Sequence, residues 1–131
     1  MDISGIKSSE RIIEMMHPAT KELLGIRVSL MSLDDPRMKK IKRKITDDRL
    51  HLEARGKHFK AEQIDDNRNA LTFGAMTGWD WYGQDVTFKG QKPEFNRANV
   101  YSVFDELTWF RDQLDEEIGE TKAFFAVSET I

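Results

Sequence analysis

The sequence predicts an α+β fold, with an N-terminal β-hairpin at about residues 10–32 followed by a mainly helical part at about residues 35–125. Three observations predict it. Large apolar residues alternate with Arg27 and Ser29 over residues 26–30, a period of two that is typical of a half-buried strand. Apolar residues recur at helical spacing in the later stretches. No repeat or low-complexity linker divides the 131 residues, which favours a single domain over 1–131.

The hairpin is predicted from two short apolar runs, at residues 10–17 and 26–32. Between the runs, Pro18 and Gly25 mark a break in regular structure, because both residue types favour turns. The second run alternates as described above, whereas the first is less regular but rich in isoleucine. We therefore expect two antiparallel strands in this part of the chain.

A first helix is predicted after the hairpin. Asp34 or Asp35 is expected to cap it and Pro36 fits its first turn, where acidic residues also suit the positive end of the helix dipole. Gly56 is expected to end it. The apolar side of this helix is expected to consist of Met38, Ile41, Ile45 and Leu52.

The remaining elements bring the expected total to three to five helices. A second helix is expected from about Ala61 to Met76, with Gly78 closing it. The aromatic, β-branched and glycine residues of 79–93 then predict a loop or a small hairpin. Asn96 is expected to cap a third helix and Thr108 to begin a separate one. The apolar positions of the last two helices are Val100, Val103, Phe104, Leu107, Phe110, Leu114 and Ile118.

The composition excludes several classes of protein. Charged residues make up 33% of the chain, and no apolar run approaches the roughly 20 residues of a membrane-spanning helix. The N-terminal residues lack the apolar segment of a signal peptide. The absence of cysteine excludes disulfides and thiolate chemistry and fits a reducing cytoplasm. We expect a cytoplasmic protein without a membrane partner.

Nothing in the sequence indicates an enzyme. It contains no P-loop, no glycine-rich dinucleotide turn and no nucleophile elbow. His51 and Glu53 lie two residues apart on an expected helix and so point to different sides, which is poor geometry for chelation. The carboxylate pairs all lie in polar stretches, where burial would not tune a pKa. We expect no catalytic residues, no metal and no cofactor.

The stretch GWDWYG at residues 78–83 concentrates two of the three tryptophans of the chain between glycines. In an extended segment Trp79 and Trp81 share one side. Either or both could be core residues, or together with Tyr82 they could form an aromatic docking site for another protein. Phe124 and Phe125, near the end of the chain, are expected to be more exposed and to contribute to the same kind of partner-binding site.

Charge is distributed unevenly along the chain. Residues 37–44 hold six basic residues without an acid, whereas residues 105–131 hold eight acids against Arg111 and Lys122. A solvated helix face, a protein contact and a nucleic-acid site are all compatible with the basic run, and nucleic acid is the least favoured because the net charge is −3. We expect a homo-oligomer in which the basic run meets the acidic segment of a neighbour. The residues expected in this contact are Arg37, Lys39, Lys40, Lys42, Arg43, Lys44, Asp115, Glu116 and Glu117.

Residues 75–125 carry an ordered set of features. An apolar helix runs into a Gly-Trp loop, a helix start rich in Pro, Phe and Asn follows, and the segment WFRDQLDE at 109–116 precedes a closing pair of phenylalanines. This order resembles that of the tail assembly chaperones of long-tailed, siphovirus-type bacteriophages. The residues that carry the resemblance are Gly78, Trp79, Trp81, Pro93, Phe95, Asn96, Phe124 and Phe125.

The resemblance implies an assembly factor in the cytoplasm of the infected host. Such a chaperone binds the tape measure protein, keeps this long helical partner soluble, and is displaced as subunits of the tail tube protein polymerise. It would be absent from the mature virion. Two other functions remain open: a structural or tail-completion protein that stays in the virion, and a small nucleic-acid-binding regulator that uses the basic helix.

Overall fold

The computed structural model describes residues 1–56 and 64–125 in full and the backbone of residues 61–63. Two strands near the N-terminus and a third strand further along the chain form a three-stranded antiparallel sheet, and the remaining regular segments are mostly helical. The strands are β1 (Arg11–Met16), β2 (Leu23–Leu30) and β3 (Met76–Asp80). The helices are α1 (Met38–Ala54), α2 (Ala61–Ala75), α3 (Arg97–Glu106), α4 (Thr108–Gly119) and α5 (Thr121–Phe124), and a short 3-10 turn covers Ile3–Gly5.

The sheet has the order β1-β2-β3, so that β2 lies in the centre. Ile13 of β1 lies opposite Val28 of β2, which in turn lies opposite Trp79 of β3. The hairpin prediction is therefore confirmed, but β3 was not predicted. Gly78 does not close α2; it lies within β3, which follows α2 directly. Five residues with a central glycine give too short an alternation to reveal a strand, and the partner strand is distant in sequence.

Gly25 lies inside β2 rather than in the connection between the strands. The turn instead runs from His17 to Glu22, closed by a hydrogen bond from His17 N to Glu22 O of 2.8 Å. Gly25 has a φ of +84°, and a Cβ at this position would lie 2.7 Å from Gly83 Cα. Its glycine identity therefore lets the chain that leaves β3 pass directly against β2, where Gly83 N donates to Gly25 O over 2.9 Å.

One side of the sheet is covered by helices, and the core lies between these two layers. Ile13 and Met15 of β1 and Ile26, Val28 and Leu30 of β2 face this core. The apolar spacing predicted for the later helices is confirmed, since Val100, Val103, Phe104, Phe110, Leu114 and Ile118 are all buried.

The helix starts predicted at Asn96 and Thr108 are confirmed, whereas the one predicted at Asp34 or Asp35 is wrong. The Asn96 side chain accepts a hydrogen bond from Asn99 N at 2.8 Å, and Thr108 begins α4. Neither Asp34 nor Asp35 caps α1, which begins later, at Met38. Asp35 Oδ1 instead accepts from Arg37 N at 2.9 Å, in the turn that precedes the helix. Helix α1 lies at the surface, because Met38 is its only buried residue.

Candidate docking surface

The two tryptophans of GWDWYG occupy different environments. Trp81 is a core residue that exposes 7% of its surface and stacks on Phe110, with ring centroids 6.4 Å apart. Trp79 is half-buried in β3; its centroid lies 5.5 Å from that of Trp81, and its Nε1 donates to Pro93 O over 3.0 Å. Trp79 is therefore the tryptophan that reaches the surface, because Trp81 is enclosed by the sheet and α4.

Tyr82 lies on the other side of the sheet and does not join these tryptophans. It is 43% exposed, lies under the Arg27 guanidinium at 4.2 Å, and donates its hydroxyl to Glu14 Oε2 over 2.6 Å. This hydrogen bond, with a further one from Arg27, holds the pKa of the Glu14 carboxyl below its ordinary value. The same contact with Glu14 raises the pKa of Tyr82. Tyr82 thus fastens the end of β3 to the outer side of β1 and β2.

Trp79 belongs to a set of four partly exposed aromatic residues, which we call the aromatic row: Tyr101, Phe73, Phe95 and Trp79. Successive ring centroids lie 6.0 Å, 5.6 Å and 5.8 Å apart in that order. One ring comes from α2, one from β3, one from α3 and one from the segment before α3. Arg97, which is exposed, lies 4.9 Å above the Tyr101 ring. Of the row, Phe73 and Tyr101 were not singled out from the sequence, because their positions come together only in the fold.

The segment that carries Phe95 is held in place by polar contacts with the main chain. Lys92 Nζ donates to Trp81 O at 2.8 Å and to Val86 O at 3.2 Å, and also to Gly83 O. Asn99 Nδ2 donates to Glu94 O over 3.0 Å. The aromatic row is therefore held by helices, by a strand and by a connecting segment that hydrogen bonds keep in place. This limits the conformational entropy that would be lost when a partner binds.

The predicted exposure of the C-terminal aromatic pair is wrong for Phe124. Its ring is fully buried beneath β1, with the Arg11 guanidinium 5.3 Å from its centroid, and its carbonyl accepts from Ser9 N at 2.9 Å. Phe125 is half-buried. Trp79 lies in β3 and Phe124 lies beneath β1, with β2 between these strands. The two expected aromatic sites are thus at opposite edges of the sheet and do not form one surface.

Several charged residues expected to meet a neighbour have partners within the chain. Arg37 forms ion pairs with Glu10 at 3.0 Å and with Asp35 at 2.9 Å. Lys42 Nζ donates to Leu33 O over 2.6 Å. The acids Asp115 and Glu117 pair with Arg68 at 3.2 Å and with Arg11 at 3.0 Å, respectively. Among the expected residues, those with exposed side chains and neither an ion pair nor a side-chain hydrogen bond in the described part of the chain are Lys39, Lys40, Arg43, Lys44 and Glu116.

The free edge of β1 is closed by α4. Gln113 Oε1 accepts from Met16 N at 3.1 Å and its Nε2 donates to Met16 O at 2.6 Å, so that the amide mimics a neighbouring strand. The ion pair between Arg11 and Glu117 covers the other end of the strand. An added strand would have to displace these contacts, which disfavours β1 as a docking edge. Gln113 carries no pattern by which the sequence alone could reveal this role.

A cleft of about 190 Å³ lies between α2 and α4. Leu33, Leu71 and Ile118 form its apolar lining, and the ion pair of Arg68 with Asp115 lies at its rim. Next to it, the contact of α2 with α4 is polar: buried Arg111 donates from Nη1 to buried Asn69 Oδ1 over 2.7 Å. The cleft has room for one apolar side chain, whereas the aromatic row offers four adjacent rings.

Neither a metal site nor a membrane span is found in the described part of the chain. Over residues 1–56 and 64–125, no group of three or more His, Asp or Glu side chains could hold a metal ion. The helices within residues 1–56 and 61–125 are too short or too polar to cross a bilayer. His58, one of the three histidines considered from the sequence, lies outside the described residues.

Comparison of the chain with protein-family models, with curated proteins and with solved structures gave no match.

Proposed function

We propose that this protein is a tail assembly chaperone of a long-tailed bacteriophage, which binds the tape measure protein and keeps it soluble. The aromatic row is the observation that carries the proposal. Trp79 and Phe95 of the row belong to the same stretch on which the resemblance to these chaperones rests. In this proposal the chaperone acts in the host cytoplasm and is released as the tail tube protein polymerises.

The spacing of the row suits a helical partner. Its successive centroids are 5.6 to 6.0 Å apart, which is close to the roughly 5–6 Å between side chains three or four positions apart on a helix. An amphipathic helix could therefore place successive apolar side chains against successive rings. Tryptophan, tyrosine and arginine are the residues that most often dominate binding energy, and the row contains or adjoins each of them in Trp79, Tyr101 and Arg97.

Solubility of the tape measure protein of the same phage is the direct measurement. Expressed alone, the tape measure protein should precipitate, and co-expressed with this chain it should remain in the supernatant. Trp79→Ala and Tyr101→Ala should each weaken the complex by about 2 kcal/mol. Tyr82→Ala is the matched control, because Tyr82 is also an aromatic residue at the surface but lies on the side of the sheet opposite the aromatic row. A soluble complex that tolerates both changes in the row would refute it as the docking surface.

A second experiment separates a chaperone from a structural tail protein. Mass spectrometry of purified particles should find the tape measure protein and the tail tube protein but not this chain. Its presence in stoichiometric amounts would favour a structural or tail-completion protein instead. Addition of polymerising tail tube protein to the purified complex should release the chain, and a complex that survives polymerisation would contradict displacement.

A further inference from the structure

Two helices of this chain carry their charges in the unfavourable direction. The first turn of α1 contains Lys39 and Lys40 and no acidic residue, although the amino end of a helix is its positive end. The last turns of α4 contain Asp115, Glu116 and Glu117, and its last turn contains no basic residue, although this is the negative end. Each arrangement costs stability in an isolated molecule, and each would be relieved by charges of the other helix.

The cations of α1 stand together and are not neutralised within the described residues. Lys40 and Lys44 are four positions apart, as are Lys39 and Arg43, so like charges are neighbours on the same side of the helix. All four side chains are exposed, and none lies within 4.0 Å of a carboxylate in residues 1–56 and 64–125. We call Lys39, Lys40, Arg43 and Lys44 the basic row.

The outward-pointing acids of α4, with the residue that follows it, form a matching set. Asp112 and Glu116 of α4 are four positions apart, and Glu120 comes directly after the last residue of the helix; all three are exposed. Asp112 is 61% exposed and reaches only Arg68, at 3.8 Å, whereas Asp115 and Glu117 are engaged as described above. We call Asp112, Glu116 and Glu120 the acidic row. In both rows, residues four positions apart on a helix are separated by about 6 Å, so a basic side chain of one row can lie opposite an acidic side chain of the other.

We propose that the basic row of one molecule binds the acidic row of a second copy of this chain. The two rows have opposite charge and the same spacing, and each would relieve the unfavourable interaction of the other with its helix dipole. These features favour a second copy of the chain over an unrelated anion as the partner of the basic row. Helix α2 lies between α1 and α4, and no ion pair joins the basic row to α4 in the described part of the chain, so the contact forms between molecules. The proposal is independent of chaperone function, because either a chaperone or a structural protein could assemble this way.

Sedimentation velocity of the full chain tests the interface. At about 20 mM salt the protein should associate, and at about 500 mM it should be monomeric, since exposed ion pairs are screened. Lys40→Glu with Lys44→Glu should weaken self-association on the order of tenfold or more, and Asp112→Lys with Glu116→Lys should do the same. Lys7→Glu with Lys122→Glu is the control, because it makes the same change in net charge at exposed lysines outside the row.

Mixing the two charge-reversed variants is the decisive arm. Each alone should be monomeric, and the mixture should form hetero-oligomers, which also shows that both variants are folded. A monomeric wild type at low salt, or a mixture that stays monomeric, would overturn the proposal. So would a wild type that remains monomeric but binds duplex DNA through Lys40 and Lys44, since the occupant of the basic row would then be nucleic acid.

Discussion

The Tyr82 hydroxyl donates to Glu14 Oε2 over 2.6 Å, although 68 residues separate them in the sequence. The contact crosses the outer side of the sheet beside Arg27 of β2, whose Nε lies 2.6 Å from Glu14 Oε1. It fastens the turn after β3 to β1. Because Trp81 directly precedes Tyr82, the same contact helps to keep Trp81 on the core side of the sheet.

Removal of this hydrogen bond should make the protein less sensitive to acid. The pKa of Glu14 is lowered from 4.5, so its contribution to stability is fully present above pH 4.5 and is lost as the pH falls through the lowered value. In Tyr82→Phe the shift is smaller, and the melting temperature should therefore fall less between about pH 5 and pH 3 than it does in the wild type. Tyr101→Phe is the control, since Tyr101 makes no hydrogen bond to a carboxylate in the described residues. If the melting temperatures of Tyr82→Phe and of the wild type fell in parallel with decreasing pH, the stabilising role of the Tyr82–Glu14 hydrogen bond would be contradicted.

Truncation of Trp81 should unfold the protein more readily than any change in the aromatic row. Trp81→Ala should cost about 3–5 kcal/mol of unfolding free energy, because it leaves a large cavity against Phe110. Trp81→Phe should cost much less than its loss of volume suggests, about 1.5 kcal/mol or less. The reason is that the buried Trp81 Nε1 has no hydrogen-bond partner among the described residues, so phenylalanine removes an unsatisfied donor. Urea unfolding of both variants measures this difference. Equal losses of unfolding free energy would refute the claim that Trp81 Nε1 is an unsatisfied donor.

The contact between α2 and α4 should tolerate replacement of both Arg111 and Asn69 by apolar residues better than replacement of Asn69 alone. Arg111 exposes 8% of its surface, its Nε has no partner, and Asn69 accepts its one hydrogen bond in the described chain. Asn69→Leu should cost about 3–5 kcal/mol because it strands a buried cation. The double change Asn69→Leu with Arg111→Met should recover this loss and leave the chain as stable as the wild type or about 1–4 kcal/mol more stable. A double variant as unstable as Asn69→Leu would contradict this account.

Replacement of Gly74 by alanine should destabilise α2, because the added methyl group would meet Ile41. Alanine normally stabilises a helix relative to glycine by about 1 kcal/mol. Here a Cβ at Gly74 would collide with Ile41 Cδ1 and would lie 3.4 Å from its Cγ2, so the Ile41 side chain would have to leave its present rotamer. Gly74→Ala should therefore cost about 1–3 kcal/mol. Ile41→Val removes the colliding atom, so the double variant should be more stable than the sum of the two single losses predicts, by about 0.5 kcal/mol or more. Strict additivity in this double-mutant cycle would sink the explanation.

The local patterns of this sequence determined much of the secondary structure. The alternation of β2, the cap at Asn96, the start of α4 at Thr108 and the apolar spacing of α3 and α4 are all found in the fold. Each is a short-range feature, in which a residue interacts with others a few positions away or presents one side to a core. The absence of cysteine and the clustering of six basic residues at 37–44 are likewise properties of the sequence alone.

The tertiary structure alone decided which of these residues meet a partner. Whether Trp79 or Trp81 reaches the surface depends on the pairing of β3 with β2, because the strand register and α4 enclose one ring and leave the other half open. Phe124 is buried because Arg11 and Ser9, more than a hundred positions earlier, close over it. Long-range contacts also bring together the four rings of the aromatic row, which are Phe73, Phe95, Tyr101 and Trp79. They pair Asp115 with Arg68 and Glu117 with Arg11, so that these two acids are not part of the acidic row. Burial and ion pairing depend on distance in space, which the spacing of residues along a chain does not specify.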